Sequence, residues 1–324
     1  MTRLSGIDRA HYHGWSGTPR SPWYGSLAIA RVAVLQVLRR KMYWFAIGLG
    51  LMVFLLFFFM IYLAAQIDSG AVGLRPLDDD GRPTARAGNQ RGPQGRLGAE
   101  LLRRVSFSPQ PGERGDNGYL RFMERQSLIV IILLAFSGSL VVGADYRHRA
   151  LPFYLSRGID RRHYIVGKWL GISAAICMMT VLPALALFVE YGVYTTGFDY
   201  WIEFWWIVPA VLGYGLVLCI VLGLITMTLS AYLQRTAPIA ISTISLFSML
   251  WTIGMQMADM TESRHWRLLD LWRDMRYSAR WLFDPYRRGE DVQLGPIATA
   301  ILAGVCVVCL VALFHRVRAV DIIE

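Results

Sequence analysis

What the long apolar runs of this 324-residue chain lack is ionisable side chains. Six stretches, 43–64, 127–144, 169–189, 204–229, 236–258 and 295–314, contain no Asp, Glu, Lys, Arg or His. Each is long enough for a hydrocarbon core of about 30 Å, which takes about 20 helical residues. Ion-coupled transporters and proton pumps place ionisable groups at membrane depth, and intramembrane hydrolases and metal enzymes need carboxylates, histidines or a polarised nucleophile there. The pattern argues against all of these classes. Lys168 and Glu190, at the two ends of the third run, read as edge residues that anchor a helix by reaching for the interface.

Cysteine is scarce as well. Cys177, Cys219, Cys306 and Cys309 all fall inside apolar runs, where a disulfide would need two helices to present thiols face to face in lipid. No disulfide framework is expected. Cys306 and Cys309 lack the converging ligands a metal requires and read as small packing thiols. A phosphate-binding G-x-x-x-x-G-K-[ST] loop is missing, because Gly167 and Lys168 are followed by Trp169 and Gly158 is wrongly spaced. This chain is therefore not expected to bind ATP by that motif, and no cofactor is expected on it.

What is present is hydrophobic residue in excess, 55% of the chain with 13% aromatic, which places it among polytopic membrane proteins. The runs are continuously apolar rather than alternating, so the expected fold class is all-α with six transmembrane helices rather than a barrel. The net charge of +10 comes almost wholly from arginine outside the runs and suits anionic lipid headgroups, with no nucleic-acid partner expected. Residues 1–42 form an N-terminal part in which Gly25 to Met42 is imperfectly amphipathic, with Arg31, Gln36, Arg39 and Arg40 opposite Leu27, Ala30, Val34, Val37 and Leu38. That pattern predicts an interfacial helix. Residues 43–314 are the six-helix domain and 315–324 a tail.

Basic residues near the runs set the expected orientation. Arg39, Arg40 and Lys41 precede the first run, Arg147 to Arg162 fill the second connection, and Arg316 and Arg318 follow the last, whereas Glu190 to Glu203 holds no Lys or Arg. Both termini are then cytoplasmic. The arginines of Asp259 to Leu294 dissent. Of the two large outer segments, 65–126 is rich in Gly, Pro, Arg and Asp and is expected to stay largely irregular. In 259–294, Leu268, Leu271, Trp272, Met275, Ala279 and Leu282 recur at helical spacing, which predicts an amphipathic helix at the outer interface, shielding the mouth of the bundle.

The segment between the second and third runs, Ala144 to Gly171, reads as a moving joint. Pro152 suits the start of a short helix and Gly158 its stop, with Phe153, Tyr154, Leu155, Ser156 and Arg157 between them. Asp160 is expected to cap the next helix, which runs through Gly167 and Lys168 into the membrane. A short helix across the base of a spanning helix is a lever. The same segment also reads as a basic topology anchor facing anionic lipid.

Asp145, Ala150-Leu151, Leu155-Ser156-Arg157, Ile159, Arg161-Arg162 and Gly167-Lys168 ahead of an apolar helix resemble a pattern of ABC-2 type permeases, the membrane halves of ABC transporters. There an acidic residue leads into a Leu-Leu-Ser-Arg-Pro-Ile-Ser-Arg-like run and a Gly-Lys pair. Here Gly158 stands where that family often has proline, and Asp145 where glutamate is commoner. The motif covers about 25 residues, and the layout extends the resemblance over most of the chain: a surface helix before the first span, six spans, cytoplasmic ends, and a re-entrant or helical outer segment before the last span. It implies two six-span permease subunits, a pair of separate ATPase subunits that carry ATP and Mg, and a multi-pass protein of a bacterial plasma (inner) membrane. It also implies an ATPase-coupling site of Asp145, Arg147, Arg149, Leu151, Phe153, Tyr154, Leu155, Arg157, Asp160, Arg161 and Lys168. The expected function is that of an exporter permease. The alternative from another class is a non-transporting scaffold or assembly factor that anchors an extracytoplasmic complex through its outer segments.

Overall fold

A computed structural model describes residues 22–68, 118–138, 142–147, 160–194, 198–283 and 290–318, and these are helical with short connections. The expectations for Arg149, Leu151, Phe153, Tyr154, Leu155 and Arg157, and for most of 65–126, lie outside the described residues. Helix α1 (Pro22–Leu38) is followed after Arg39-Arg40 by α2 (Lys41–Asp68), then α3 (Gly118–Gly138) and the short α4 (Ala144–Arg147). The third span is two helices in series, α5 (Arg161–Met179) and α6 (Val181–Tyr194). After the short α7 (Phe198–Glu203) come α8 (Ile207–Leu233), α9 (Thr236–Thr261), a 3-10 turn (Arg264–Leu269), α10 (Leu271–Phe283) and α11 (Glu290–Arg318).

Among the described residues, five segments are long and apolar enough to cross a membrane: Lys41–Leu63, Arg161–Tyr194, Ile207–Leu233, Thr236–Thr261 and Leu294–Arg316. They fall into two classes by burial. The segments of α5–α6 and α8 bury 56% and 61% of their apolar windows, whereas those of α2, α9 and α11 bury 17%, 22% and 22%, so the first two form the interior and the other three the periphery. The second expected span differs from the expectation. It begins at Gly118 rather than Ser127 and brings Arg121, Glu124 and Arg125 into its first turns. Its 21 residues span about 31 Å, a full hydrocarbon core, yet it does not reach the apolar threshold of the other five. The reason is its place in the bundle. Most of α3 is buried against protein, so its polar groups meet side chains instead of lipid.

The third span breaks at Thr180, where the hydroxyl and the backbone N–H both donate to the Ile176 carbonyl, each at 2.9 Å. Pro183 has no N–H to return to the Met179 carbonyl, which weakens the helix at the same place. Helix α1 lies along the start of this span. Ser26 Oγ donates to the His163 carbonyl at 2.9 Å, and Ile29, Ala33 and Val37 are buried, although the predicted apolar face would have buried Leu27 instead. A Cβ on Gly167 would stand 2.7 Å from the Ser26 carbonyl oxygen and one on Gly171 2.6 Å from the Ala33 Cβ. Two glycines one turn apart thus let the helices touch backbone to backbone.

The outer amphipathic helix corrects the expectation most. Helix α10 does not lie across the mouth of the bundle but descends into it, antiparallel to α11. Ser278 and Thr299 share a hydrogen bond of 2.8 Å, Trp281 packs against Gly295, and Leu271 lines a common cavity with Ile301, Val305 and Cys309. The start of α10 is therefore level with the middle of Leu294–Arg316. Its apolar stripe is buried against helices rather than dipped in lipid. Arg273, Arg276 and Arg280 are consequently part of the packed bundle.

Candidate functional site

Both ends of the connection between the second and third spans are described, and they converge. After Gly138 the second span ends in a wide turn at Val142-Gly143 and the helix α4, which aims Asp145 at the first turns of α5. Asp145 Oδ2 lies 2.7 Å from Lys168 Nζ and accepts a hydrogen bond from the Tyr164 hydroxyl at 2.8 Å. Tyr164 and Lys168 are one turn apart on α5, so one helix face offers a phenol and an ammonium to a single carboxylate. The Lys168 side chain is only 1% exposed and that of Asp145 only 7%, which makes this a buried pair with a neutral third partner. The reading of Lys168 as an edge anchor is thereby overturned: its ammonium finds Asp145 inside the protein before it can reach the interface.

Two further bonds tie the same turn to the end of α8. Gly143 N donates to Ser230 Oγ at 2.8 Å, and Arg147 donates to the Gln234 carbonyl at 2.6 Å. Gln234 caps α8 in a left-handed conformation, φ 55°, which turns that carbonyl outward. Gly143 is required by space, since a Cβ there would stand 3.1 Å from Gln234 Cα and 3.2 Å from the carbonyl oxygens of Ser230 and Gln234. Asp145, Tyr164 and Lys168 thus hold the second and third spans together, while Gly143 and Arg147 hold the second to the fourth. Farther up, Trp169 Nε1 donates to the Cys219 carbonyl at 3.0 Å, and the thiols of Cys177 and Cys219 meet at 3.6 Å. The structure does present two cysteines face to face, as free thiols.

Of the expected coupling residues that are described, Asp145, Arg147 and Lys168 belong to this node. Asp160 occupies the N-cap position of α5, but its side chain makes no cap hydrogen bond and is 81% exposed, so the expected cap is not formed. Arg161 follows it in the first turn of the helix. Sequence reasoning missed Tyr164, Gly143, Ser230 and Gln234. Tyr164 stands one turn before Lys168, a spacing that is visible in the sequence, whereas the α8 partners are remote and carry no local signal.

The expectation of charge-free spans is also corrected. Glu190, taken as an edge residue, is buried in α6, and neither carboxylate oxygen has a hydrogen-bond partner. It belongs to an aromatic end of the bundle in which the Tyr119 and Tyr200 hydroxyls share a bond of 3.0 Å. Glu124 of α3 is 3.0 Å from Arg276 of α10, an ion pair without hydrogen-bond alignment, and the Arg276 guanidinium also lies 4.9 Å from the Trp272 ring centroid. Asp270 is 3.6 Å from Arg273, while Asp274, fully buried, has no partner for either oxygen. The re-entrant helix carries these groups to membrane depth, and no inspection of the apolar runs finds them.

A multi-helix bundle with a charged turn clamped at the base of one spanning helix is the build of a membrane permease subunit. The model of the family described as ABC-2 family transporter protein matches residues 112–315, α3 through most of α11, and the chain belongs to that family. No curated protein and no solved structure matches the chain.

Proposed function

We propose that this permease is an exporter subunit driven by a separate ATPase that docks on the 145–168 segment. One observation carries the reading: the two ends of that segment are clamped to each other by Asp145, Tyr164 and Lys168 and to α8 by Arg147 and Gly143. A force applied to the segment acts on a block of three span ends rather than on one helix. The lever therefore drives the second, third and fourth spans together, and the break at Thr180 is where the third span can bend as inward-open and outward-open populations exchange. ATP and Mg are bound by the partner, whose acidic rim meets Arg149, Arg157 and Arg161 and whose groove seats Leu151, Phe153, Tyr154 and Leu155. Both termini lie on the cytoplasmic side of a bacterial plasma membrane, with α1 at the interface. The exposed sides of α2 and α9 leave room for a second permease subunit.

The test is co-purification from native membrane combined with ATP hydrolysis. Arg157→Glu with Arg161→Glu, or Leu155→Asp alone, is expected to abolish both the recovery of the ATPase and substrate-stimulated turnover while membrane insertion survives. An undiminished complex in these variants would overturn the coupling assignment, and a wild-type chain that recovers no ATPase would favour the scaffold.

A further inference from the structure

The third and fourth spans meet along a stripe of small residues on α8. Gly215, Cys219 and Gly223 stand four residues apart and share one helix face. A Cβ on Gly223 would lie 3.1 Å from Trp169 Cδ1, and one on Gly215 would collide with the Val181 side chain. The two helices are therefore held at close range on both sides of Cys219. Cys177 of α5 faces it at that point, with the sulfurs 3.6 Å apart. A disulfide needs Cβ atoms about 3.5–4.5 Å apart and sulfurs at about 2.0 Å, and sulfurs already in contact approach that by side-chain rotation.

The two thiols are not equivalent. Cys219 is 2% exposed, and its Sγ donates to the Ser173 carbonyl at 3.7 Å. With its one proton committed there, its lone pairs are free for Cys177, and the Cys177 S–H is the donor between the two sulfurs. Cys177 is half-buried and flanked on α5 by the exposed Ala174 and Met178, so it is the thiol that a molecule in the lipid meets first. Both cysteines lie near the middle of their spanning segments, Arg161–Tyr194 and Ile207–Leu233, at a depth that a lipid-soluble oxidant reaches more readily than a water-borne one.

We propose that Cys177 and Cys219 are a redox-active dithiol, oxidised to a disulfide by an organic hydroperoxide dissolved in the bilayer, with Cys177 reacting first and Cys219 closing the bond. Cys177 Sγ attacks the terminal peroxide oxygen and the O–O bond breaks. The alcohol leaves with the Cys177 proton, and a sulfenic acid remains on Cys177. Cys219 Sγ then attacks Cys177 Sγ, the S–O bond breaks, and the hydroxyl group leaves as water with the Cys219 proton. The two sulfurs together lose two electrons, and the peroxide gains them. The new bond staples the third span to the fourth three residues before the Thr180 break, and a dithiol reductant reverses it. This goes beyond the permease reading and does not depend on it.

Cys306 and Cys309 supply an internal comparison. They are three residues apart on α11, where Cβ atoms stand about 5–6 Å apart, farther than a disulfide allows. The experiment uses the full chain in lipid nanodiscs treated with cumene hydroperoxide, quenched in acid, alkylated under denaturing conditions and mapped by mass spectrometry. A peptide pair linked through Cys177 and Cys219 is expected in most of the chains, with Cys306 and Cys309 still alkylated, and dithiothreitol is expected to restore all four thiols. In Cys219→Ala the sulfenic acid on Cys177 is expected to persist and be captured by dimedone. In Cys177→Ala, capture at Cys219 is expected to be several-fold lower. Equal capture in the two variants would overturn the order of reaction. Oxidation of Met178 that leaves both thiols free would overturn the proposal, as would a disulfide through Cys306 or Cys309 in equal yield or a Cys177 bond between two copies of the chain. No ATPase is present in this experiment, so a failure of the coupling reading, seen as loss of co-purification, does not alter its result.

Discussion

The two ends of the bundle bury charge in opposite ways. At the lever end, Asp145 has an ammonium at 2.7 Å and a phenol at 2.8 Å, and Arg147 ends on a carbonyl. At the re-entrant end, Arg276 meets Glu124 without good alignment, and Asp274 and Glu190 have no partner for any carboxylate oxygen. A buried pair with its hydrogen bonds complete offsets its desolvation and fixes one geometry. A buried acid without a partner is held by the packing around it and costs stability until it takes up a proton.

Four substitutions or treatments can break or sharpen this contrast. The largest effect is expected from Lys168→Met, which strands the Asp145 carboxylate and should cost about 3–5 kcal/mol in thermal or denaturant unfolding. Adding Asp145→Asn should recover much of the loss, because no charge then remains unpaired. A single variant as stable as the unsubstituted protein would mean that the pair is not formed. Arg276→Met removes the partner of Glu124 and should cost less, about 1.5–3 kcal/mol, since the pair is looser and Arg276 is partly exposed.

Asp274→Asn should act in the opposite direction and stabilise by about 1 kcal/mol, because it replaces a buried carboxyl whose two oxygens have no partner. An Asn variant no more stable in denaturant or thermal unfolding than the unsubstituted protein would remove Asp274 from the account. The smallest effect is expected from oxidative cross-linking of Cys177 to Cys219 with a membrane-permeant two-electron oxidant such as diamide. If the third and fourth spans move as one block, ATP turnover by the assembled transporter should not change. Inhibition that a thiol reductant reverses would show that the two spans slide past each other.

Five of the six apolar runs coincide with helices long and apolar enough to cross a membrane, because lipid demands continuous helices of nearly fixed length. The one span they misplaced, α3, is the one that lipid touches least. Asp145, Arg147 and Lys168 were legible as a motif but not as a clamp, because Ser230 and Gln234 approach only when the fourth span returns to the same end of the bundle. Gly167 signals close packing in the sequence, but that Ser26 is what it packs against does not follow from spacing.

The sequence by itself determined an all-helical membrane protein and its resemblance to ABC-2 permeases. Each of these depends on local composition or on residues within a few turns of one another. The tertiary structure alone decided that Lys168 is buried against Asp145, that α10 enters the bundle and that the third span breaks at Thr180. These depend on which helix faces meet, and a side chain reads as anchor or clamp, interfacial or re-entrant, only once its neighbours from distant parts of the chain are in place.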